Sequence, residues 1–255
     1  MRLTDRDAIR AILDTDRSWS VYALGDLAPG FFEHCRWFAG RGSAPALLLR
    51  YERFQAPVLF TLGLPADVAP LFDEIGDVNV LYLHVRPEIL PLVRARFAVQ
   101  SEPRMWRMVL DPARWTARAP EPARLLRSDD VPALERLYAD GNAHGEAPDF
   151  FFPSMLDAGV FCGIREGDEL IAAGGTHLVS HAEGVAAVGN VYTRRDRRRR
   201  GLGTAVTAAV TAELVRRRVH TIALNVNQQN ATAIGVYERL GFGRYCAFVE
   251  GVATR

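Results

Sequence analysis

The chemistry-bearing residues of this 255-residue chain concentrate in two stretches of its second half. The first is Val191-Tyr192-Thr193-Arg194-Arg195-Asp196-Arg197-Arg198-Arg199-Arg200-Gly201-Leu202-Gly203-Thr204. A strand-like run ends at Thr193, and a helical pattern over Thr204–Arg218 follows, with Val206, Val210 and Leu214 at a spacing of four. A helix N-terminus leaves backbone N–H groups without intrahelical partners and carries roughly half a positive charge. An anion placed there satisfies both. Gly201 and Gly203 let the backbone come close to such an anion, and the arginines add charge-assisted hydrogen bonds. Taken alone, this establishes an anion site. An arginine run is also a common solvated face or nucleic-acid patch. The loop lacks the Gly-Lys-Ser/Thr of a Walker loop and is not a complete dinucleotide fingerprint.

The second stretch runs from Asn225 to Phe242 and carries Asn230, Ala233, Tyr237, Gly241 and Phe242 on and around a predicted helix, Ala231–Leu240. By spacing alone, Tyr237 reads as a core tyrosine packing with Ile234 and Leu240 rather than as a catalytic one. The combination is more specific. Arg198-x-x-Gly201-x-Gly203 resembles the Gln/Arg-x-x-Gly-x-Gly/Ala signature of the GNAT superfamily of acyl-CoA N-acyltransferases. Asn230-x-x-Ala233-x-x-x-Tyr237-x-x-x-Gly241-Phe242 resembles the second signature of the same superfamily, in the expected order and separated by one helix and one strand. The resemblance covers roughly residues 123–250, about one domain of chain.

That resemblance implies transfer of an acetyl group from acetyl-CoA to a primary amine by direct attack on the thioester. It implies that the pantetheine arm pairs with the backbone of Val191, Tyr192 and Thr193. The pyrophosphate would lie on Arg199, Arg200, Gly201, Leu202, Gly203 and Thr204, behind Arg198 at the first signature position, and Asn230 would contact the CoA arm. Backbone N–H groups at the end of Val188–Thr193 would polarise the carbonyl, and Tyr237 would protonate the departing thiolate. The family's usual general-base positions fall on Ala187 and Asn225, and neither side chain takes a proton from an ammonium. His144, Glu146 and His177 are local alternatives, each of which reads as structural or solvated before catalytic, and none is assigned as the base. Two rival readings keep acyl-CoA: a longer acyl chain, or a non-catalytic acyl-CoA-binding regulatory module.

The elements that must position these residues read as an α/β (α+β) protein with two units of similar order, each a capped helix, then antiparallel strands, then alternating helix and strand. The fold implied is a tandem of GNAT-like units, each a mixed, mostly antiparallel sheet flanked by helices. Pro112, Pro120 and Pro122 mark Asp111–Pro122 as a linker, which divides the chain into 1–118 and 119–255. The first unit is predicted to use a helix around Ile9, Ile12 and Leu13, strands Ala46–Tyr51, Pro57–Leu62, Val78–Val85 and Arg104–Leu110, and helices opening at Pro65 and Pro87. Only Gly63-Leu64-Pro65 follows its second strand, with no Gly-x-Gly, so this half reads as a degenerate copy without CoA binding. Trp19, Tyr22, Trp37 and Phe38 could line an acceptor cleft or fill a core. The second unit is predicted to hold a hairpin of Val160–Arg165 and Glu169–Val179, then strands Val185–Thr193, Thr221–Val226 and Arg244–Val249.

A net charge of +1 gives no global attraction to nucleic acid or anionic membrane. Cys35, Cys162 and Cys246 are far apart and fit no metal spacing. The charged start, Met1-Arg2-Leu3-Thr4-Asp5-Arg6-Asp7, does not read as a signal peptide. The expectation is a cytoplasmic monomer or homodimer that uses no metal and binds no nucleic acid or membrane, with acetyl-CoA and an amine acceptor as its ligands.

Overall fold

The computed structural model describes residues 1–40, 42, 44–116, 123–142, 144–148 and 150–255. The first half runs through β1 (Arg2–Leu3), α1 (Arg6–Leu13), α2 (Val21–Gly25), β2 (Cys35–Ala39), β3 (Leu47–Tyr51), β4 (Val58–Leu62), α3 (Pro65–Val68), β5 (Val80–Val85), α4 (Leu90–Arg94), β6 (Ala98–Ser101) and β7 (Arg104–Leu110). The second half holds β8 (Arg124–Leu125), α5 (Val131–Asn142), α6 (Met155–Ala158), β9 (Cys162–Glu166), β10 (Glu169–Ser180), β11 (Val185–Thr193), α7 (Leu202–Arg216), β12 (Thr221–Asn227), α8 (Ala231–Arg239) and β13 (Phe242–Thr254). Among the described residues no helix is long and apolar enough to cross a membrane.

The residues gather into two compact units that do not follow one cut in the chain. One comprises Met1–Arg107 with Val226–Gln229 and Arg244–Arg255; the other comprises Met108–Asn225 with Asn230–Gly243. Residues 117–122 of the expected linker, and with them the expected division at 118/119, lie outside the described residues. The interleaving follows from β13. It runs past the predicted end at Val249 to Thr254, because Val249–Thr254 pairs with β5 and the end of the strand also pairs with β6.

In the first unit the strand order is β1-β2-β3-β4-β5-β13, antiparallel throughout except for β4–β5. Strand β2 was missed in the sequence, and it carries Trp37 and Phe38 into the core rather than along a cleft. Trp19 is core as well. The parallel register of β4 and β5 ends at Phe60↔His84. There the indole of Trp19 stacks on both rings and donates its Nε1–H to the Thr61 carbonyl at 2.8 Å. Arg107, fully buried, donates to His84 Nε2 at 2.9 Å and lies against the rings of Trp19, Tyr22 and Phe248.

In the second unit the order is β8-β9-β10-β11-β12, again antiparallel except for one parallel pair, β11–β12. Both units thus place an antiparallel pair next to a parallel one in the same sequence, as a tandem of GNAT-like sheets requires. Small residues at the middle of β10 let large neighbours approach. A side chain at Gly175 would overlap the ring of Phe161, and one at Gly174 would crowd Val191 and Val206. Helix α7 buries Val206, Val210 and Leu214, the face expected from their spacing, against the sheet. It begins at Leu202, two residues earlier than predicted, because Gly201 takes the left-handed N-cap conformation (φ +76°) and nothing after it interrupts the helix.

Burial holds the His84 imidazole below its ordinary pKa, with Glu250 opposing and Arg107 adding to the shift. The folded state therefore favours neutral His84. Its contribution is complete above about pH 6.5 and is lost as pH falls below that value. The melting temperature of the chain should drop between pH 7.5 and 5 by more than that of His84→Gln, which keeps an acceptor for Arg107 but does not titrate. Parallel curves for the two proteins in thermal circular dichroism would refute this role.

Candidate functional site

All the predicted site residues lie in the second unit. Its focus is the end of β11. Pairing with β12 runs from Val185↔Thr221 to Val188↔Leu224 and stops, while β11 continues through Gly189 to Thr193. On its other side β11 stays paired with β10, through Gly175↔Gly189, Ala173↔Tyr192 and Ala172↔Thr193. Among the described residues, the backbone of Gly189–Thr193 therefore has one edge without a strand partner. Such an edge accepts an extended, hydrogen-bonding ligand.

The edge is shaped by an irregularity. Asn190 adopts φ +53°, at a register shift between β10 and β11. Its carbonyl accepts the Tyr138 hydroxyl at 2.7 Å, which ties the bulge to α5. Tyr192 is buried on the α5 side, and its hydroxyl donates to Asp140 at 2.7 Å. Burial, reinforced by Asp140, pushes this phenol up to about 12. Val191 instead packs with Ile164, Ile171 and Val206 towards α7. Neither Tyr138 nor Asp140 was singled out in the sequence. Their contacts join residues 52 positions apart, and no local pattern encodes that.

The arginine run divides into braces and free charges. Arg194 bonds Glu169 and Asp196, and Arg197 bonds Glu166 and Asp196. Arg198 bonds Glu146 at 2.5 Å and the Thr193 carbonyl at 3.2 Å, and lies over the Tyr192 ring. That ion pair holds the Glu146 carboxyl below its usual range, so Glu146 is already occupied and poorly suited to accept a proton. Arg199 and Arg200 are exposed, and Arg199 takes a left-handed backbone (φ +64°). No side chain caps α7 at Gly201, so the N–H groups of its first turn, including Leu202, Gly203 and Thr204, face outward unclaimed by a cap. A Cβ on Gly203 would meet only Thr193 Oγ1, at an ordinary 3.6 Å. The fold does not require glycine there, whereas a close ligand over the helix end would.

Asn230 caps α8, its Oδ1 accepting from the Ala233 N–H at 3.0 Å, which leaves its amide nitrogen exposed. Tyr237, half-buried on the same helix, packs edge-on against Phe242. Its hydroxyl has no hydrogen-bond partner among the described residues, and burial pushes the phenol up to about 12. It is thus a proton donor at neutral pH with nothing to donate to among the described residues. Ala187 is fully buried between Leu178 and Ala223, which confirms an apolar environment at one usual base position. His144 is exposed in the loop after α5, and His177 lies across Gly189 of β11. Among the described residues no three His, Cys, Asp or Glu side chains gather as metal ligands.

Residues 127–242 match the Acetyltransferase (GNAT) family. The chain is 30% identical over 118 residues to the [ribosomal protein bS18]-alanine N-acetyltransferase of Salmonella typhimurium, covering 46% of this chain and 78% of that protein. Solved structures resemble it along its whole length, among them the following two. A Drosophila protein superposes with a TM-score of 0.72 at 16% identity, covering 100% of this chain and 98% of the other. A tandem GNAT protein from the clavulanic acid biosynthesis pathway superposes with a TM-score of 0.58 at 14% identity, covering 100% and 97%.

The open helix end predicts the behaviour of Gly203→Leu. Glycine is about 0.8–1.0 kcal/mol less favourable than alanine in a helix interior and leucine ranks just below alanine, so the variant should fold at least as stably. Calorimetric titration with coenzyme A should show affinity reduced at least about tenfold, corresponding to roughly 1.4 kcal/mol. Unchanged affinity would remove the α7 N-terminus from the site.

Proposed function

The chain belongs to the acetyltransferase (GNAT) family and is an acyltransferase, and from that premise we propose that its second unit transfers an acetyl group from acetyl-CoA to a primary amine by direct attack. The observation that carries this reading is the continuity of one unpaired strand edge, Gly189–Thr193, with one uncapped helix end, Leu202–Thr204. An extended, amide-bearing arm and a pyrophosphate are the two chemistries those neighbouring features suit. The arm would bond to Val191, Tyr192 and Thr193 through their backbone. The phosphates would lie against the N–H groups of Gly201, Leu202, Gly203 and Thr204, with Arg199 and Arg200 supplying charge from outside.

Arg198 takes a different part from the one its place in the signature suggests. Its bonds to Glu146 and Thr193 brace the loop between strand and helix, so that it positions the backbone donors. Asn230 likewise fixes the start of α8 and keeps its amide nitrogen for the CoA arm. Tyr237 donates its phenolic proton as the carbon–sulfur bond breaks. Its raised pKa keeps that proton available at neutral pH.

The relative from Salmonella typhimurium is named for an alanine amine on a ribosomal protein, which supports a primary amine as acceptor. Three free cysteines suit a reducing compartment, and we place the chain in the cytoplasm, where acetyl-CoA is made. We assign no nucleic acid or membrane partner, and a monomer or homodimer suffices because every site residue belongs to one unit.

Tyr237→Phe tests the chemical half of this proposal. Thiol release in the presence of an amine panel should fall about 10²-fold or more, with the Kd for acetyl-CoA unchanged. Unchanged turnover would return Tyr237 to a packing role, and equal losses in turnover and affinity would make it a binding residue.

A further inference from the structure

The start of the open edge of β11 and the neighbouring strand β10 carry side chains that the transfer step has not used. Strand β10 bulges between Thr176↔Val188 and Leu178↔Ala187, and the extra residue is His177. Its imidazole lies across Gly189, where any Cβ would overlap ring atom Nε2. Glycine at 189 is thus the space that brings a titratable ring onto the strand, one residue before the Asn190 bulge. Asn190 is itself buried, and its side-chain Oδ1 finds no donor among the described residues. A buried acceptor left without a donor is costly, and an N–H from a ligand would relieve it.

The loop after α5 completes the surroundings. Phe151 points inward against Tyr138 and Phe161, at ring distances of 5.1 and 5.9 Å, and anchors the segment. Its neighbours point the other way. Phe150 and Phe152 are 39% and 46% exposed, large for phenylalanine, and meet edge to face at 5.1 Å. Phe150 also meets the His177 ring at 6.4 Å. Two touching exposed rings beside a histidine form an apolar wall, and such contiguous exposure marks a place where something apolar docks.

We propose that His177, Asn190 and the Phe150–Phe152 pair form the acceptor site of this unit, that it takes a primary amine carried on an aromatic or branched apolar group, and that His177 removes the amine's proton. The inference rests on the transferase reading above. The ammonium gives one proton to His177 Nε2, which passes it to solvent, and Asn190 Oδ1 accepts an N–H of the neutral amine. The nitrogen lone pair forms the new bond to the acetyl carbon. The carbon–sulfur bond then breaks, and the sulfur takes the Tyr237 proton. The second proton lost from nitrogen restores the phenol through water. The products are an amide, the free thiol and one proton in solution.

The test uses the full chain with saturating acetyl-CoA and reads thiol release with 2-phenylethylamine, ethylamine and phenylacetic hydrazide, whose terminal nitrogen is already neutral at pH 7. The chain should prefer 2-phenylethylamine to ethylamine by about tenfold or more in kcat/KM. His177→Gln should lower kcat/KM for 2-phenylethylamine about 10²-fold and leave the hydrazide nearly unchanged. Equal losses with both would make His177 structural and overturn its role. Phe150→Ala, at an exposed position, should raise KM for 2-phenylethylamine and not for ethylamine; no change would overturn the apolar wall. A preference for ethylamine would overturn the substrate class. If the unaltered chain binds acetyl-CoA but releases thiol with no amine, the transferase reading fails and this inference falls with it.

Discussion

A parallel strand pair that stops early governs this molecule. Each backbone N–H and C=O removed from water needs a partner, and β11 gives up its partner after Val188 while continuing to Thr193. The residues beyond are stable only because the other edge remains bonded to β10, because Tyr138 ties down the Asn190 carbonyl, and because Tyr192 is held by Asp140. Helix α5 therefore does more than cover the sheet. It supplies the hydroxyl and the carboxylate that let a strand edge stay open without fraying. The loop that follows is braced in turn by Arg194, Arg197 and Arg198, which pair with Glu169, Glu166 and Glu146 elsewhere in the unit and, for the first two, with Asp196 in the loop itself. An arginine-rich loop would otherwise repel itself; here the paired guanidinium groups fix its path and leave Arg199 and Arg200 at its outer rim.

The first unit solves the same constraint in the opposite way. Its parallel pair ends at Phe60↔His84, and the strand carbonyl just beyond, that of Thr61, is bonded by the indole of Trp19. A side chain thus occupies the place where the second unit leaves backbone free. The aromatic rings around it, with Arg107 buried among them, make this filling part of the core. No glycine-bearing helix end follows β4; α3 begins at Pro65, directly after Gly63 and Leu64. The two sheets share an order of strands, and among the described residues the second leaves a strand edge unpaired where the first fills it with a side chain.

What the sequence made legible was local. The glycines between Thr193 and Thr204 mark the start of α7 because helix ends and glycine act within a few residues. The face of α7 follows from a spacing of four. The cap at Asn230 and the position of Tyr237 belong to one short motif. The remainder depends on contacts between distant residues. That Arg198 would be spent on Glu146, that Trp19 would fill a strand edge, and that the last strand would pair with β5 are decided by which surfaces meet in three dimensions. Strand β2 escaped notice because Cys35–Ala39 is short and buried almost throughout, so it shows no alternation. The family's usual base positions are informative because Ala187 and Asn225 occupy them; His177 is already a candidate in the sequence, and the β10 bulge shows it lying across Gly189.

Where a ligand bonds to the backbone is read directly by hydrogen exchange measured by mass spectrometry with and without acetyl-CoA. Amides of Val191–Thr193 and Leu202–Thr204 should become protected on binding, while those of Val58–Leu62, the corresponding strand of the first unit, stay unchanged. Protection at Val58–Leu62, or saturation by acetyl-CoA with no change between Val191 and Thr204, would contradict it.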